Sequence, residues 1–253
     1  MIVRQAGNVL DILEYFAQAR RPATLSEIAD HFGWPRSSTF NLLTTLAERG
    51  YLYEPKPRAG FYPTPRWLAQ SQIVANAEPL PAWTRLILAE LAADTGETVA
   101  IGGAAGTMAV FLDVVESRAS VRYFAQVGHR IPIHASSTGR ALLLQYPLEE
   151  RMALYRKIEF KQHGPKTPIS IEMVEAELRR SVERGYCVSY ADFSADLAGV
   201  GMPLGLPERR LSVVVAGPMF RMESRIEQVA AAMDRAIERH AREARASTSP
   251  LPI

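Results

Sequence analysis

Residues 24–50 read TLSEIADHFGWPRSSTFNLLTTLAERG, and this stretch determines how the first part of the chain folds. Two runs of side chains recur at the three- and four-residue spacing of a helix face, and they are Leu25, Ile28, Ala29 and Phe32, then Thr39, Leu42, Leu43 and Leu46. Thr24 and Glu27 have the spacing of a capping box, and Gly33 stands where a helix ends in a left-handed cap. The stretch predicts two helices joined by a short turn, a helix-turn-helix.

Another helix precedes this pair, and a short hairpin follows it. One apolar helix face carries Val9, Ile12, Leu13 and Phe16. Residues 51–63 hold two aromatic runs on either side of a tip with Lys56, Arg58 and Gly60, which predicts a β-hairpin. Three helices followed by a basic-tipped hairpin form a winged helix-turn-helix, in which the third helix enters the major groove of DNA and the wing contacts the backbone.

The outward face of the third helix is short and polar. Successive residues are about 100° apart, so the side opposite the apolar stripe carries Ser37, Asn41, Thr44 and Glu48, flanked by Arg36, Ser38, Phe40 and Thr45. Hydroxyls and amides suit phosphates and base edges, although a solvated helix face explains this pattern equally well by itself. The basic hairpin tip favours DNA binding, and we expect contacts from Arg36, Ser37, Ser38, Phe40, Asn41, Thr44, Lys56 and Arg58. Phosphates are expected at Arg36, Lys56 and Arg58.

Composition narrows the class of protein. The chain has 253 residues, of which 47% are hydrophobic and 22% charged, which suffices for two domains with their own cores and argues against disorder. The longest uncharged run, residues 98–112, is too short to cross a bilayer as a helix, and no secretory signal is visible. A single cysteine, Cys187, excludes an internal disulfide and fits a reducing cytoplasm. The formal net charge is only +2, and its whole excess lies in the first 66 residues.

The pattern changes after a proline-flanked segment. Residues 66–78 predict a short linker helix, and beyond it strands are expected at 98–101, 108–115, 121–124, 186–190 and 211–215, with helices near 86–95, 138–145, 171–184 and from Ile226 onward. We therefore expect an α+β chain. Its predicted domains are a winged helix-turn-helix over 1–66, a linker helix over 67–79, an α+β domain over 80–244 and a disordered tail over 245–253.

At this point the chain resembles the IclR family of bacterial transcriptional regulators. The matching stretches are LSEIADHFG at 25–33, SSTFNLLTTL at 37–46, RGY at 49–51, TGETV at 95–99, GHRIPIHASSTGRALL at 128–143 and RGY at 184–186. The resemblance implies a winged-helix domain, a linker helix and a GAF-like antiparallel-sheet domain that binds a small organic or aromatic acid. It also implies homodimers or homotetramers that act, for example as repressors, on palindromic operators of double-stranded DNA.

Three departures from the family pattern change the expected chemistry. Asn41 stands where the family usually has Arg, and its amide pairs best with adenine. A family stretch that contains a pocket cysteine has become AGVGMPLG at 198–205, so that thiol is missing. Two family serines that hold a small polar acid in some members correspond to Val214 and Ala216, which makes this pocket less polar.

A ligand site is expected where Ser136 opens a helix. Backbone N–H groups and hydroxyls at a helix start suit a carboxylate, although a plain N-cap explains the local sequence better when that sequence is taken alone. The resemblance implies a pocket lined by Tyr123, Ile131, Ser136, Ser137, Thr138, Ser189, Gly199, Val214 and Ala216, with Phe193 and Met202 as neighbours. An anion-binding end and an apolar body predict an apolar or aromatic carboxylic acid, or a close derivative, rather than a two-carbon acid.

The sequence thus favours a ligand-responsive regulator, of a catabolic operon for example, over two alternatives. One is a constitutive DNA-binding regulator with a vestigial pocket. The other is an enzyme built on the α+β domain, for which the sequence offers no nucleophile, acid–base pair or metal cluster. His129 and His134 lack a third metal ligand nearby, so no metal, cofactor or catalytic residue is expected.

Overall fold

The computed structural model describes residues 3–57, 59–77, 80–206 and 209–248, with side chains as far as residue 241 in the last helix. These residues form two compact units, and the division falls between residues 79 and 80. No helix in this described part of the chain is both long and apolar enough to span a membrane.

The first unit contains the three expected helices, a hairpin and a further helix. They are α1 (Arg4–Ala19), α2 (Leu25–Phe32), α3 (Arg36–Glu48), β1 (Leu52–Tyr53), β2 (Tyr62–Pro63) and α4 (Arg66–Ala77). Both hydrogen bonds of the capping box are present between Thr24 and Glu27, and α2 ends at Gly33 with φ 65°. The predicted helix-turn-helix is therefore confirmed, with its caps.

The hairpin is fixed to the rest of the first unit by a bridge that the sequence did not reveal. Phe61 donates its backbone N–H to the Ala23 carbonyl at 2.8 Å, and Ala23 donates back to the Phe61 carbonyl at 3.0 Å. Gly60 precedes this bridge with φ 87°, and a Cβ there would lie 2.3 Å from the Ala23 backbone. The orientation of the wing therefore depends on glycine at position 60.

Helix α4 begins against the wing and then leaves the core. The Trp67 indole N–H donates to the Tyr51 carbonyl at 3.0 Å. No residue of α4 is buried, and Leu68, Ile73 and Val74 are all more than half exposed.

The second unit is a six-stranded antiparallel sheet covered by helices. Its strands are β3 (Thr98–Ala105), β4 (Met108–Val115), β5 (Arg130–Pro132), β6 (Cys187–Tyr190), β7 (Leu197–Pro203) and β8 (Leu211–Pro218), in the order β5-β4-β3-β8-β7-β6. Its helices are α5 (Ala82–Thr95), α6 (Ser137–Leu143), α7 (Leu148–Tyr155), α8 (Ile171–Arg184), α9 (Met219–Met222) and α10 (Ile226–Thr248). This confirms the α+β class.

Each face of the sheet has its own core. Alternate residues such as Val99, Val213 and Val215 pack against α5 and α10. The residues between them, including Ala100 and Val214, face α6, α7 and α8. The candidate ligand pocket lies on this second face.

Two expectations about regular structure were wrong, and several elements, among them β5, β7 and α7, were not predicted. Residues 121–124 are not a strand, because the Tyr123 carbonyl accepts a hydrogen bond from Thr98 Oγ1 at 2.6 Å, and β5 pairs with β4 instead. Strand β7 was not predicted, since its two glycines and a proline are poor strand formers. Helix α10 reaches Thr248, four residues into the predicted disordered tail, because alanine and arginine favour helix there. Residues 249–253 lie outside the described residues.

Candidate nucleic-acid interface and ligand pocket

The α3 outer face consists of Ser37, Ser38, Phe40, Asn41, Thr44 and Thr45. All of them are exposed except Thr44, which is half-buried, and the Phe40 ring is 54% exposed. The opposite side of the helix holds it in place, because Thr39, Leu43 and Leu46 are buried in the core of the first unit. The helix can therefore present this face without disturbing its own packing.

Charge is confined to the two ends of α3. Arg36 at the start lies 4.0 Å from Asp30, and both side chains are largely exposed. Glu48 ends the helix, and no residue between these two carries a formal charge. At the tip of the wing Lys56 is exposed, whereas Arg58 lies outside the described residues.

A small cavity in the second unit brings together ten of the eleven predicted pocket residues, which are Tyr123, Ile131, Ser136, Ser137, Thr138, Ser189, Phe193, Gly199, Val214 and Ala216. It lies between the start of α6 and the sheet. The volume of this cavity that the centre of a water-sized sphere can occupy is about 40 Å³. That is far below the roughly 300–1,000 Å³ of pockets that hold drug-sized ligands.

Met202, the eleventh residue, does not line the cavity. It is buried in the core between the sheet and α5 and α10, on the other face. Side chains alternate along a strand, so two residues three positions apart, such as Gly199 and Met202, point to opposite faces. The expectation that both contact one ligand was wrong for this reason.

The polar end of the cavity carries hydroxyls that the protein leaves unused. Ser136 is engaged as the N-cap of α6, since its Oγ accepts from the Gly139 N–H at 3.1 Å and donates to the Pro132 carbonyl at 3.0 Å. Within the described residues, the hydroxyls of Ser137, Thr138 and Ser189 make no hydrogen bond with another residue. These three groups are available to a polar ligand.

The apolar end contains an aromatic cluster. Burial raises the pKa of Tyr123 to about 12, so its phenol is neutral at physiological pH. The ring of His129 stacks on Tyr123 with centroids 6.5 Å apart, and Phe111 meets Tyr123 edge to face at 6.4 Å. A flat apolar body is compatible with these walls.

Three further residues, Phe111, Leu197 and Ala198, line the cavity and were missed. Alternation along the predicted strand at 108–115 indicates that Phe111 is buried, but it cannot tell which face of the sheet Phe111 occupies. Leu197 and Ala198 lie on β7, which had not been predicted.

A buried ion pair holds the segment beside the cavity. Arg140 of α6 donates from Nη2 to Asp192 Oδ2 at 2.6 Å, and both side chains are nearly inaccessible. Burial raises the pKa of Asp192 despite the opposing effect of Arg140. The Asp192 carbonyl also accepts from the Gly164 N–H at 3.0 Å. Phe193, which follows Asp192 and lines the cavity, is positioned by this pair.

Two further buried titratable groups, His134 and Cys187, have surroundings that disfavour their charged forms. Burial lowers the pKa of His134, which keeps the ring neutral 3.3 Å from the Lys161 carbonyl. Burial raises the pKa of the Cys187 thiol, which is unfavourable for a nucleophile. In the part of the chain that the structure describes, no three His, Cys, Asp or Glu side chains cluster as metal ligands would.

Two family models match the sequence. The IclR helix-turn-helix domain matches residues 6–55, and the C-terminal domain of the bacterial transcriptional regulator IclR matches residues 72–242, which is more than half of the chain.

Curated relatives are regulators of transcription. The regulator KipR of Bacillus subtilis is 27% identical over 194 residues, covering 76% of this chain and 77% of its own. The acetate operon repressor of Salmonella typhimurium is 25% identical over 90% of this chain and 85% of its own. The repressor AllR of Escherichia coli is 28% identical over 70% and 65%, respectively.

Solved structures share the fold across both units. The IclR protein of Thermotoga maritima superposes with a TM-score of 0.76 at 21% identity, covering 95% of this chain and 98% of that one. An IclR-type regulator from Alicyclobacillus acidocaldarius gives a TM-score of 0.70 at 19% identity, covering 98% and 100%.

Proposed function

The chain belongs to the IclR family of DNA-binding bacterial transcriptional regulators, and we propose that it is a ligand-responsive member that controls a catabolic operon. It is not an enzyme, since its relatives are named regulators and repressors. The proposed effector is an apolar or aromatic carboxylic acid or a close derivative.

One observation carries the effector proposal, namely the unused hydroxyls at one end of an otherwise apolar cavity. The hydroxyls of Ser137, Thr138 and Ser189 could together donate hydrogen bonds to a carboxylate, which only accepts them. Val214 and Ala216 occupy the wall where two hydroxyls would favour a smaller, more polar acid. An aromatic or branched acid would use both ends of the cavity.

The cavity must enlarge to admit such an acid, because about 40 Å³ holds little more than a water molecule. Two walls are built from segments outside helices and strands, one carrying Tyr123 and the other Phe193. We propose that the Tyr123 and Phe193 side chains turn outward on these segments when the acid binds. The same small volume favours a second candidate function, a constitutive regulator whose pocket is vestigial.

The proposed DNA surface combines the α3 outer face with Arg36, Lys56 and Arg58, the last three on phosphates. Pairing of two subunits across a palindrome would place two α3 helices in successive major grooves. The exposed apolar side chains of α4 support a homo-oligomer, dimer or tetramer, since such groups favour burial. Effector binding would then alter the spacing of the two α3 helices through the linker helix. We propose that the protein acts in the cytoplasm.

Calorimetric titration of the full chain with benzoate, pyruvate and glyoxylate tests the effector class. We expect benzoate to bind, pyruvate and glyoxylate to bind weakly or not at all, and Ser137→Ala to weaken benzoate binding. Ser120→Ala, an exposed serine of the same unit, is the matched control. Binding of the two small acids without a response to benzoate would refute the proposed class. Lack of any acid response, with DNA binding intact, would favour the constitutive regulator.

A further inference from the structure

The α3 outer face has a composition that distinguishes between base pairs. Its centre holds one amide, Asn41, with an aromatic ring on one flank and a threonine on the other. The helical positions of Phe40 and Thr45 place them on either side of Asn41 around the helix axis. The three side chains could therefore meet base edges within about one helical turn.

The hydrogen bonds within this face determine which group of each side chain is free to contact a base. Thr45 Oγ1 donates to the Asn41 carbonyl at 2.7 Å, so the hydroxyl is engaged by the helix and the methyl group remains for a partner. The Asn41 side-chain amide makes no hydrogen bond with another described residue, which leaves both its donor and its acceptor for a base. The Phe40 ring offers only apolar surface, and it is 54% exposed.

These groups match adenine and thymine rather than guanine. An Asn side chain pairs in two places with the N6 and N7 atoms of adenine, whereas guanine is read by the paired donors of Arg or Lys. Residues 37–47 contain no Arg or Lys. Apolar groups such as Phe and the Thr methyl contact the C5-methyl group of thymine. An exposed phenyl ring also gains most where a partner removes it from water.

We propose that α3 reads A·T base pairs at the centre of each operator half-site, with Asn41 on adenine and with Phe40 and Thr45 on thymine methyl groups. This inference rests on the proposed placement of α3 in the major groove. Specificity then comes from one amide and a set of apolar contacts, while Arg36 and the wing hold phosphates.

The first test selects duplexes from a random pool with the full chain and sequences those that bind. Enrichment of A·T pairs at the centre of a repeated half-site is expected. The Asn41→Arg variant is expected to enrich guanine where the original chain enriches adenine, because an arginine supplies the paired donors that guanine requires. Half-sites with a G·C centre for the original chain would overturn the inference while leaving DNA binding intact.

The second test replaces thymine by deoxyuridine in the enriched duplex, which removes only the C5-methyl groups. We expect affinity to fall about fourfold for each contacted methyl group. Phe40→Ala is expected to reduce this dependence, and Phe220→Ala, which removes a more exposed ring of the second unit, to preserve it. Equal affinity for the thymine and uracil duplexes would overturn the inference alone. Failure to enrich any duplex in the first test would overturn the DNA-binding role of this surface, and with it the proposed function.

Discussion

Glu27 stabilises the start of α2 through hydrogen bonds that depend on its negative charge. Its carboxylate accepts from the Thr24 backbone N–H at 2.8 Å and lies 2.8 Å from Arg21. The Thr24 backbone hydrogen bond, with a further contribution from Arg21, lowers the pKa of Glu27 to about 2. A carboxyl group whose pKa is lowered in the folded state stabilises the fold when the pH is above its unfolded-state pKa, near 4.3. This stabilisation is lost as the pH falls toward 2.

A carboxyl ¹³C NMR titration of the full chain checks this expectation. The pKa of Glu27 should be about 2, and Arg21→Ala should raise it only partly, since the larger contribution from Thr24 remains. Arg20→Ala, which alters a neighbouring exposed arginine, should leave it unchanged. A pKa near 4.3 in the original chain would mean that the capping box does not persist in solution.

Substitutions at two glycines of β7 should have different effects, one on ligand binding and the other on stability. A Cβ at Gly199 would lie 3.0 Å from Ser137 Oγ, within the cavity, so a small displacement of that side chain could accommodate it. A Cβ at Gly201 would lie 2.5 Å from the Ser137 carbonyl, and the backbone of α6 would have to move. Gly199→Ala should therefore weaken benzoate binding with little change in melting temperature, whereas Gly201→Ala should lower that temperature by several degrees. Calorimetry and a thermal scan distinguish the two, and equal melting temperatures would contradict the argument.

Among the elements, β6 is an edge strand, and a single ion pair engages two of its backbone polar groups. Arg140 donates to the Val188 carbonyl, and Asp192 accepts from the Tyr190 N–H at 3.1 Å. Each contact occupies a backbone group that a further strand could otherwise bond, which makes this edge less open to a foreign strand. The same ion pair connects α6 with the segment that carries Phe193, so it stabilises both the edge of the sheet and a wall of the cavity.

Removal of the charge of Asp192 should destabilise the second unit. Asp192→Asn leaves the guanidinium of Arg140 buried without a counter-charge, which costs about 3 kcal/mol. Asp113→Asn is the matched control, because the ion pair of Asp113 with the exposed Arg85 should contribute less than about 1 kcal/mol. Amide hydrogen exchange in β3 and β8 measures the free energy of unfolding of this unit, and similar losses in the two variants would contradict the argument.

At the scale of the whole molecule, charge is distributed unevenly although it nearly cancels. The formal net charge is +2, and residues 1–66 carry 8 basic and 6 acidic groups, which accounts for the whole excess. So small an excess gives weak non-specific attraction to DNA for each subunit. Useful affinity should therefore require two subunits on one palindromic duplex, since the second contact is then made at high effective concentration.

Lys56→Ala tests the electrostatic part of DNA binding. Loss of one phosphate contact should weaken binding to all duplexes alike and reduce the slope of log affinity against log salt by about one for each subunit. Lys157→Ala, an exposed lysine of the second unit, should leave the slope unchanged. A sequence-dependent loss with Lys56→Ala would indicate that the wing contacts bases rather than phosphates.

The sequence by itself determined the features that depend on neighbours a few residues apart. Helical spacing and the caps at Thr24 and Gly33 were sufficient for the helix-turn-helix, because such patterns are local and recur with a fixed period. The α+β class followed in the same way. The IclR resemblance supplied most of the residues around the cavity, since motifs such as the one at 136–140 have a specific order along the chain.

The tertiary structure decided what depends on pairing between distant segments. Strand β7 is weak by intrinsic preference and forms because β6 and β8 bond it on both sides. Residues 121–124 have the composition of a strand, but the Tyr123 carbonyl accepts a hydrogen bond from the Thr98 side chain rather than from the backbone of a neighbouring strand. The face occupied by Met202 follows from the register of β7 against β8. The ion pair joins Arg140 to Asp192 across 52 residues, a separation that no local pattern encodes.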